Sequence, residues 1–406
     1  MTATHAPVSR NQRPIIAGVA TTCDDGDLRD VDWAWQRYCE KYGQHANEPE
    51  SVRALEITQV RGRRARATYE AEWPEDVYVP NQRFTLERDT GNEVRVYRFP
   101  DDPDLPGLAA AADPETALEL VKRHVMSIPP RRIRVEVVRY RPGSHAVVRH
   151  RLGKARFYAR VMKPDATSAL LDAAEMVARS KFSVPRIAGY WRHGAVVWTS
   201  EIPGENMRQY IRAGKQPDPD ALLGGLESLW AVPRTAGNGR PFDLGGRYRG
   251  AKREIGAAVR DHTAAQQEFD RAVASLDLLM RSWQPSVTAH NDFYDDQLLV
   301  LPDGRLVLVD FEETGPGDPM LDVGNFLAHL RWSAMTGTTK RAPAKMEYHR
   351  ILRNAALDRF GWDQGDLGLR EGICLFRTCI FAVIRPRTDW PDNLMQGLSL
   401  VNEAIG

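Results

Sequence analysis

The chain has 406 residues, enough for two or three domains and a substantial core. Its 55 Lys and Arg balance 54 Asp and Glu, so no global field draws it to nucleic acid or to an anionic membrane. No apolar run approaches membrane-spanning length and residues 14–20 are too short for a signal peptide; Cys23, Cys39, Cys374 and Cys379 show neither metal-ligand spacing nor disulfide density. A soluble, reducing, cytoplasmic setting is the expectation.

In chain order, residues 1–30 lack a regular apolar pattern and read as a flexible tail. A short helix is expected over 31–42, bearing Trp33, Trp35 and Tyr38. Two β segments (54–73 and 83–99), a Pro/Asp-rich connection and a helix over 114–125 complete an α/β module spanning 31–130, with Pro129-Pro130 as its boundary. Over 133–152 two strands flank Arg141-Pro142-Gly143-Ser144-His145. A small-residue turn lets backbone N–H groups approach phosphates, so Gly143 and Ser144 are candidates for covering a nucleotide; an ordinary hairpin has the same composition. The next strand, 156–164, carries Arg160 on the face of Tyr158 and Met162, with Lys163 on the opposite face. Apolar spacing from Ala169 to Ala178 predicts a helix over 165–181 bearing Asp172 and Glu175. Strands at 187–192 and 195–200 then run into Ser200-Glu201-Ile202-Pro203-Gly204. Helical spacing follows over 221–230, 252–283, 321–335, 346–360 and after 367, and its apolar stripes read as core. Gly237-Asn238-Gly239-Arg240-Pro241 and Gly245-Gly246 mark a loop.

The most informative stretch is His290-Asn291-Asp292-Phe293-Tyr294-Asp295-Asp296-Gln297, followed by Val309-Asp310-Phe311-Glu312. Apolar runs around Asp303-Gly304 predict a hairpin with a two-residue turn, which sets Gln297 opposite Asp310 with Asp292 one short loop away. An amide oxygen and a carboxylate there suit a hard cation, Mg²⁺, beside a free carboxylate. Phosphoryl transfer needs this pairing: a metal to neutralise phosphate charge and a carboxylate to take the proton of the attacking hydroxyl.

The spacing His-x-Asp-x-x-x-x-Gln, the Asp310-Phe311-Glu312 run and Gly317-Asp318-Pro319-Met320-Leu321-Asp322 resemble the aminoglycoside phosphotransferase and choline kinase-like superfamily. The resemblance implies an α+β, two-lobed, protein-kinase-like fold, with a β-rich N-lobe over 131–203, a helical C-lobe over 204–406 and the N-terminal module as an addition. It implies ATP as co-substrate and a hydroxyl of a small molecule (aminoglycoside, amino sugar or sugar) as acceptor. Asp292 would be the catalytic base and Gln297 and Asp310 the metal ligands, while His290, Asp318 and Asp322 brace the catalytic loop. Superfamily members carry Lys in the third strand to hold the α- and β-phosphates; here Arg160 is favoured over Lys163, with Glu175 as its partner. The run through Ser200 and Ile202 resembles the hinge whose backbone binds adenine. Maltokinase-like members also carry an N-terminal cap and Gln at the metal position. Asp295, Glu312 and Glu313 would give the mouth an acidic tone suited to an amine-bearing acceptor. The alternative is a nucleotide-binding pseudokinase with a regulatory role, which intact Asp292 and Asp310 argue against. A protein kinase is disfavoured by the missing Ala-Pro-Glu.

Overall fold

A computed structural model gives the fold over residues 28, 30–43, 48–60, 64–73, 82–89, 91, 93–128, 131–233, 242–337, 339–384 and 389–406. The expected tail (apart from Leu28 and Asp30), Pro129-Pro130 and the loop at 237–241 lie outside these described residues. Helix α1 (Val31–Tyr42) starts where the Asp30 carboxylate accepts the amides of Asp32 and Trp33, satisfying donors that have no partner within the helix. Each expected β segment is a pair of antiparallel strands: β1 (Ser51–Val60) with β2 (Arg64–Glu72), and β3 (Gln82–Arg88) with β4 (Val94–Arg98). The four form one antiparallel sheet in chain order, and Tyr69, Phe84 and Leu86 pack with Tyr38 of α1.

Helices α2 (Leu108–Ala112) and α3 (Pro114–His124) follow, the second capped by Asp113 and opened by Pro114. Leu108, Ala111, Leu120 and Val121 bury themselves against Ala146, Val148, Phe157 and Trp198 of a second sheet, sharing its core. That sheet contains β5 (Arg134–Arg141), β6 (His145–Leu152), β7 (Ala155–Met162), β8 (Ile187–Trp191) and β9 (Val196–Ser200), antiparallel in the order β5-β6-β7-β9-β8. Trp198 Nε1 donates to His150 Nδ1 at 3.1 Å, and His150 Nε2 donates to the Ala111 carbonyl at 2.8 Å, a buried line from the sheet into α2. Helix α4 (Thr167–Val177) joins β7 to β8.

Beyond β9 lie β10 (Glu205–Asn206), α5 (Met207–Arg212), α6 (Pro219–Trp230), α7 (Leu244–Val259) and α8 (Thr263–Ser282). The one helix expected over 252–283 is thus two. Both pack on the later helix Gln364–Ile384, so their apolar stripe runs on across the break even though the His262 amide turns back to Val259. Four short strands come next: β11 (Val287–Ala289), β12 (Leu298–Val300), β13 (Leu306–Leu308) and β14 (Gly315–Gly317). Helices α9 (Pro319–Met335), α10 (Ala342–Phe360), α11 (Gln364–Ile384) and α12 (Trp390–Ile405) end the chain. The architecture is the two-lobed kinase-like one, with the β1–β4 sheet added at the N-terminus. No helix among the described residues is long and apolar enough to cross a membrane.

The β12–β13 hairpin has a register one residue from expectation. Leu298 faces Leu308, and the Leu301 amide donates to the Arg305 carbonyl at 2.9 Å, closing a three-residue loop with Gly304 at φ +82°. A two-residue turn would have required an amide on residue 302, and Pro302 has none. Gln297 therefore sits against Val309, whose amide donates to the Gln297 carbonyl at 2.9 Å, and not against Asp310.

Candidate active site

Antiparallel pairing of β11 with β14 brings the chain at 290–292 beside that at 313–315. Asn291 adopts a left-handed φ of +67°, and its Nδ2 donates to the Glu313 carbonyl at 2.9 Å, which holds this uncommon conformation in place. The buried Asp322 carboxylate accepts three donors: the His290 amide (2.9 Å), the Asn291 amide (2.7 Å) and Trp230 Nε1 (2.9 Å). Asp318 caps α9 through the Met320 amide and accepts Trp283 Nε1 and Arg370 Nε, both at 3.2 Å. Asp322 thus braces the loop directly, and Asp318 braces the helix that carries Asp322.

His290 ties the loop to the second motif. Its Nε2 lies 2.6 Å from the Asp310 carbonyl, and its Nδ1 accepts the Asp292 amide at 3.3 Å. One nitrogen donates and the other accepts, which requires a neutral ring. Burial supports this by pushing the imidazole down to about 4.

Asp292, Gln297 and Asp310 line one cleft of about 740 Å³ between the five-stranded sheet and the helices. Gln297 Nε2 is 3.5 Å from Asp292 Oδ2, the long limit of a hydrogen bond. Burial pushes the Asp292 carboxyl up to about 7; Arg377 and Arg247 oppose the shift, and Asp310 and Glu313 add to it. Burial is the largest single influence on Asp310 and works against its charge, but its basic neighbours, Arg160 foremost, together outweigh it and hold that carboxyl below the ordinary value.

Arg160 reaches into this cluster from β7. It pairs with Asp310 at 3.2 Å and Glu312 at 2.5 Å. Its expected partner Glu175 is exposed on α4, because the carboxylates that meet Arg160 come from the Asp310-Phe311-Glu312 run. Lys163 lies apart from the cleft, 3.1 Å from Asp104 of the connection before α2. Gly143 is committed as well: its amide donates at 2.7 Å to Asp102 Oδ2, which also accepts the Tyr140 hydroxyl at 2.9 Å. The glycine is needed there for its φ of +61° and for room, since a Cβ would come within 2.3 Å of the Arg66 guanidinium. Ser144 does line the cleft. At the hinge, the Ser200 amide is taken by the Arg186 carbonyl at 2.9 Å, whereas the Ile202 amide has no partner among the described residues.

The sequence matches the phosphotransferase enzyme family (APH) over residues 136–364, more than half of the chain. The chain belongs to that family. Solved structures that resemble it include a choline kinase from Cryptosporidium parvum Iowa II, at 11% identity and TM-score 0.48, covering 71% of this chain and 94% of that one. An ADP-bound aminoglycoside phosphotransferase has 12% identity and TM-score 0.47, covering 72% of this chain and 99% of that one. A spectinomycin phosphotransferase in complex with ADP and spectinomycin has 12% identity and TM-score 0.46, covering 72% and 94%. No curated protein matches the sequence.

In this phosphotransferase the three acids expected to greet an amine are already paired. Arg208 of α5 grips the buried Asp295 with Nε at 3.2 Å and Nη2 at 3.0 Å, and its Nη1 takes Asp296 at 3.0 Å. Arg160 holds Glu312, and Arg247 of α7 holds Glu313 at 2.6 Å. Sequence reasoning missed Arg208, Arg247, Arg377 and Trp230, which reach the site from α5, α7, α11 and α6. Nothing local marks them, since each stands on a helix among other charged or apolar residues.

Proposed function

We propose that the protein is an ATP-dependent phosphotransferase acting on a hydroxyl of a small molecule. The observation that carries this reading is the half-buried Asp292 carboxylate, which lines one cleft with Gln297 and Asp310. The acceptor oxygen attacks the γ-phosphorus, the bond from that phosphorus to the β,γ-bridging oxygen breaks, and ADP leaves. The hydroxyl proton passes to Asp292. His290 holds Asp292 in place through its amide and fixes the Asp310 backbone at the same time.

The donor set suits a magnesium ion. Asp310 and Gln297 offer two oxygens, and the adjacent Glu312 Oε2 is buried without a hydrogen-bond partner. Among the described residues no cluster of three or more His, Cys, Asp or Glu could hold a metal alone. Magnesium tolerates this, since it takes few protein ligands and completes its shell with water and phosphate. When bound, the ion would neutralise charge on the β- and γ-phosphates. Arg160 would then move from Asp310 towards the α- and β-phosphates, and the Ile202 amide is the hinge donor left for adenine.

Arg160→Ala is expected to raise the KM for ATP by about tenfold or more, the loss of a charge-assisted contact. Lys163→Ala should change it by less than about twofold, being bound to Asp104 away from the cleft. Steady-state kinetics at varied ATP checks both; a larger effect from Lys163 would return Arg160 to a structural role.

A base must be unprotonated to accept a proton. With the Asp292 carboxyl raised to about 7, kcat/KM for the acceptor should rise with pH along an acid limb near 7 and level above it. The same shift means that the folded chain retains this proton where the unfolded chain has lost it. Asp292 therefore makes stability fall as pH rises through its folded value. An acid limb in the ordinary carboxylate range, about 4, would show that Asp292 is not the titrating base.

The reading as a whole is tested by calorimetric titration with Mg·ATP followed by an ADP-release assay over hydroxyl acceptors. One observation favours a non-catalytic nucleotide binder instead, namely Arg160 resting on a proposed metal ligand. Binding without acceptor phosphorylation would support that alternative, and absence of nucleotide binding would remove both.

A further inference from the structure

The acceptor side of the cleft is built from α5, α7, α9 and α11, and its charges do not cancel. Asp295 and Asp296 are held by Arg208, Glu313 by Arg247 and Glu254 by Arg253. Arg377 of α11 lines the same cleft, partly buried, and makes no ion pair with any described residue. Its guanidinium lies 5.2 Å from the ring centre of Phe242, while Arg247 lies 4.8 Å from the same ring. Both guanidinium groups thus meet one ring, and of the two only Arg247 has a carboxylate partner among the described residues. Residues 234–241 and 385–388, which precede Phe242 and follow α11, contain no Asp or Glu that could serve.

Taking a guanidinium partly out of water without a counter-ion is costly, and burial does lower the Arg377 pKa, with Arg247 adding to the effect. Arg377 is also close enough to Asp292 for their charges to act on each other, Arg377 being the largest influence that lowers the Asp292 value. A base and an unpaired cation therefore share the acceptor half of one cleft. A planar fork of five donors suits a carboxylate or phosphate bidentately.

We propose that the acceptor is anionic: a hydroxylated compound whose carboxylate or phosphate is held by Arg377, with Arg247 beside it, while its hydroxyl meets Asp292. This rests on the phosphotransferase reading and narrows it, away from the amine-bearing acceptors that the acidic residues alone suggested. The oxyanion supplies the directly contacting counter-charge that Arg377 lacks among the described residues, so part of its binding energy comes from relieving an existing cost.

Binding can be tested separately from turnover. The protein is first titrated with Mg²⁺ and a non-hydrolysable ATP analogue, which tests the phosphotransferase reading alone. Glucose, glucosamine, glucuronate and glucose 6-phosphate are then titrated into the protein with and without that analogue. At least one anionic sugar is expected to bind tenfold or more tightly than glucose and glucosamine, and which one does so separates carboxylate from phosphate. Arg377→Gln should remove that preference and leave the affinity for the analogue within about twofold, while Arg377→Lys should keep part of it. Thermal melts check that the variants fold; if Arg377→Gln does not, Arg377→Lys and the wild-type preference decide. Equal binding of neutral, amino and anionic sugars, tighter binding of glucosamine, or an anion preference that survives Arg377→Gln overturns the proposal. If the analogue fails to bind while the Arg377-dependent anion preference persists, the anion site stands and the phosphotransferase reading falls.

Discussion

Replacing Asp292 by Asn is expected to lower turnover by roughly 10²–10⁴-fold, the usual contribution of a positioned acid–base group. Mg·ATP affinity should stay near wild type. The amide has almost the shape of the carboxyl, and the loop's anchors do not use the Asp292 side chain: they are the Asp322 carboxylate, the His290 ring and the Asn291 amide group. The loop should therefore keep its course while the proton acceptor is lost. The acid limb near 7 should go with it. Acceptor phosphorylation measured beside calorimetric binding separates the two effects, and full turnover in the variant would end the proposed mechanism.

Asp310→Ala should act on the other half of the site. Its carboxylate is the proposed metal ligand, but its contact with His290 is through the backbone carbonyl and survives the substitution. Mg-dependent nucleotide binding should fall to the level seen without metal, with turnover falling alongside, because the β- and γ-phosphate charge is left poorly neutralised. Metal-free affinity should change little. Loss of Asp310 also leaves Glu312 alone with Arg160, at 2.5 Å, so the arginine keeps one carboxylate partner. Titration of both proteins with and without Mg²⁺ gives the result, and a magnesium effect of wild-type size in the variant would move the metal away from Asp310.

What the sequence made readable was the part of the site that is contiguous in the chain. From His290 to Asp322 the order and spacing of polar residues among apolar strands marked the loop, and the resemblance singled out Asp322, which accepts the amides of His290 and Asn291. The hairpin register was missed by one residue because Asp-Gly suggested the tightest turn, while the missing amide of Pro302 ruled it out. Partners brought from far along the chain were not readable. Arg208 meets Asp295 across 87 positions and Arg247 meets Glu313 across 66, so the acids looked free when they are neutralised. Gly143 and Lys163 had the right residue types for phosphate, yet Asp102 and Asp104 claim them from 41 and 59 positions upstream. Strand alternation, which depends only on neighbours, did put Arg160 and Lys163 on different sides, where they meet different carboxylates.

The line from Trp198 through His150 to Ala111 bears on where this chain could be cut. Helices α2 and α3 precede the family-matched span, yet they cover the back of its sheet, and Asp102 and Asp104 hold its turn and its third strand. A recombination joint at residue 130 would separate a sheet from the helices that cover it and strand a buried imidazole N–H. A joint near Phe99-Pro100, after the β1–β4 sheet, cuts between two cores rather than through one, leaving the contacts of Arg66 with Pro142 and Asp104 to be rebuilt. Cut there, the β1–β4 sheet would leave with its own core, and the two helices would stay with the sheet they cover.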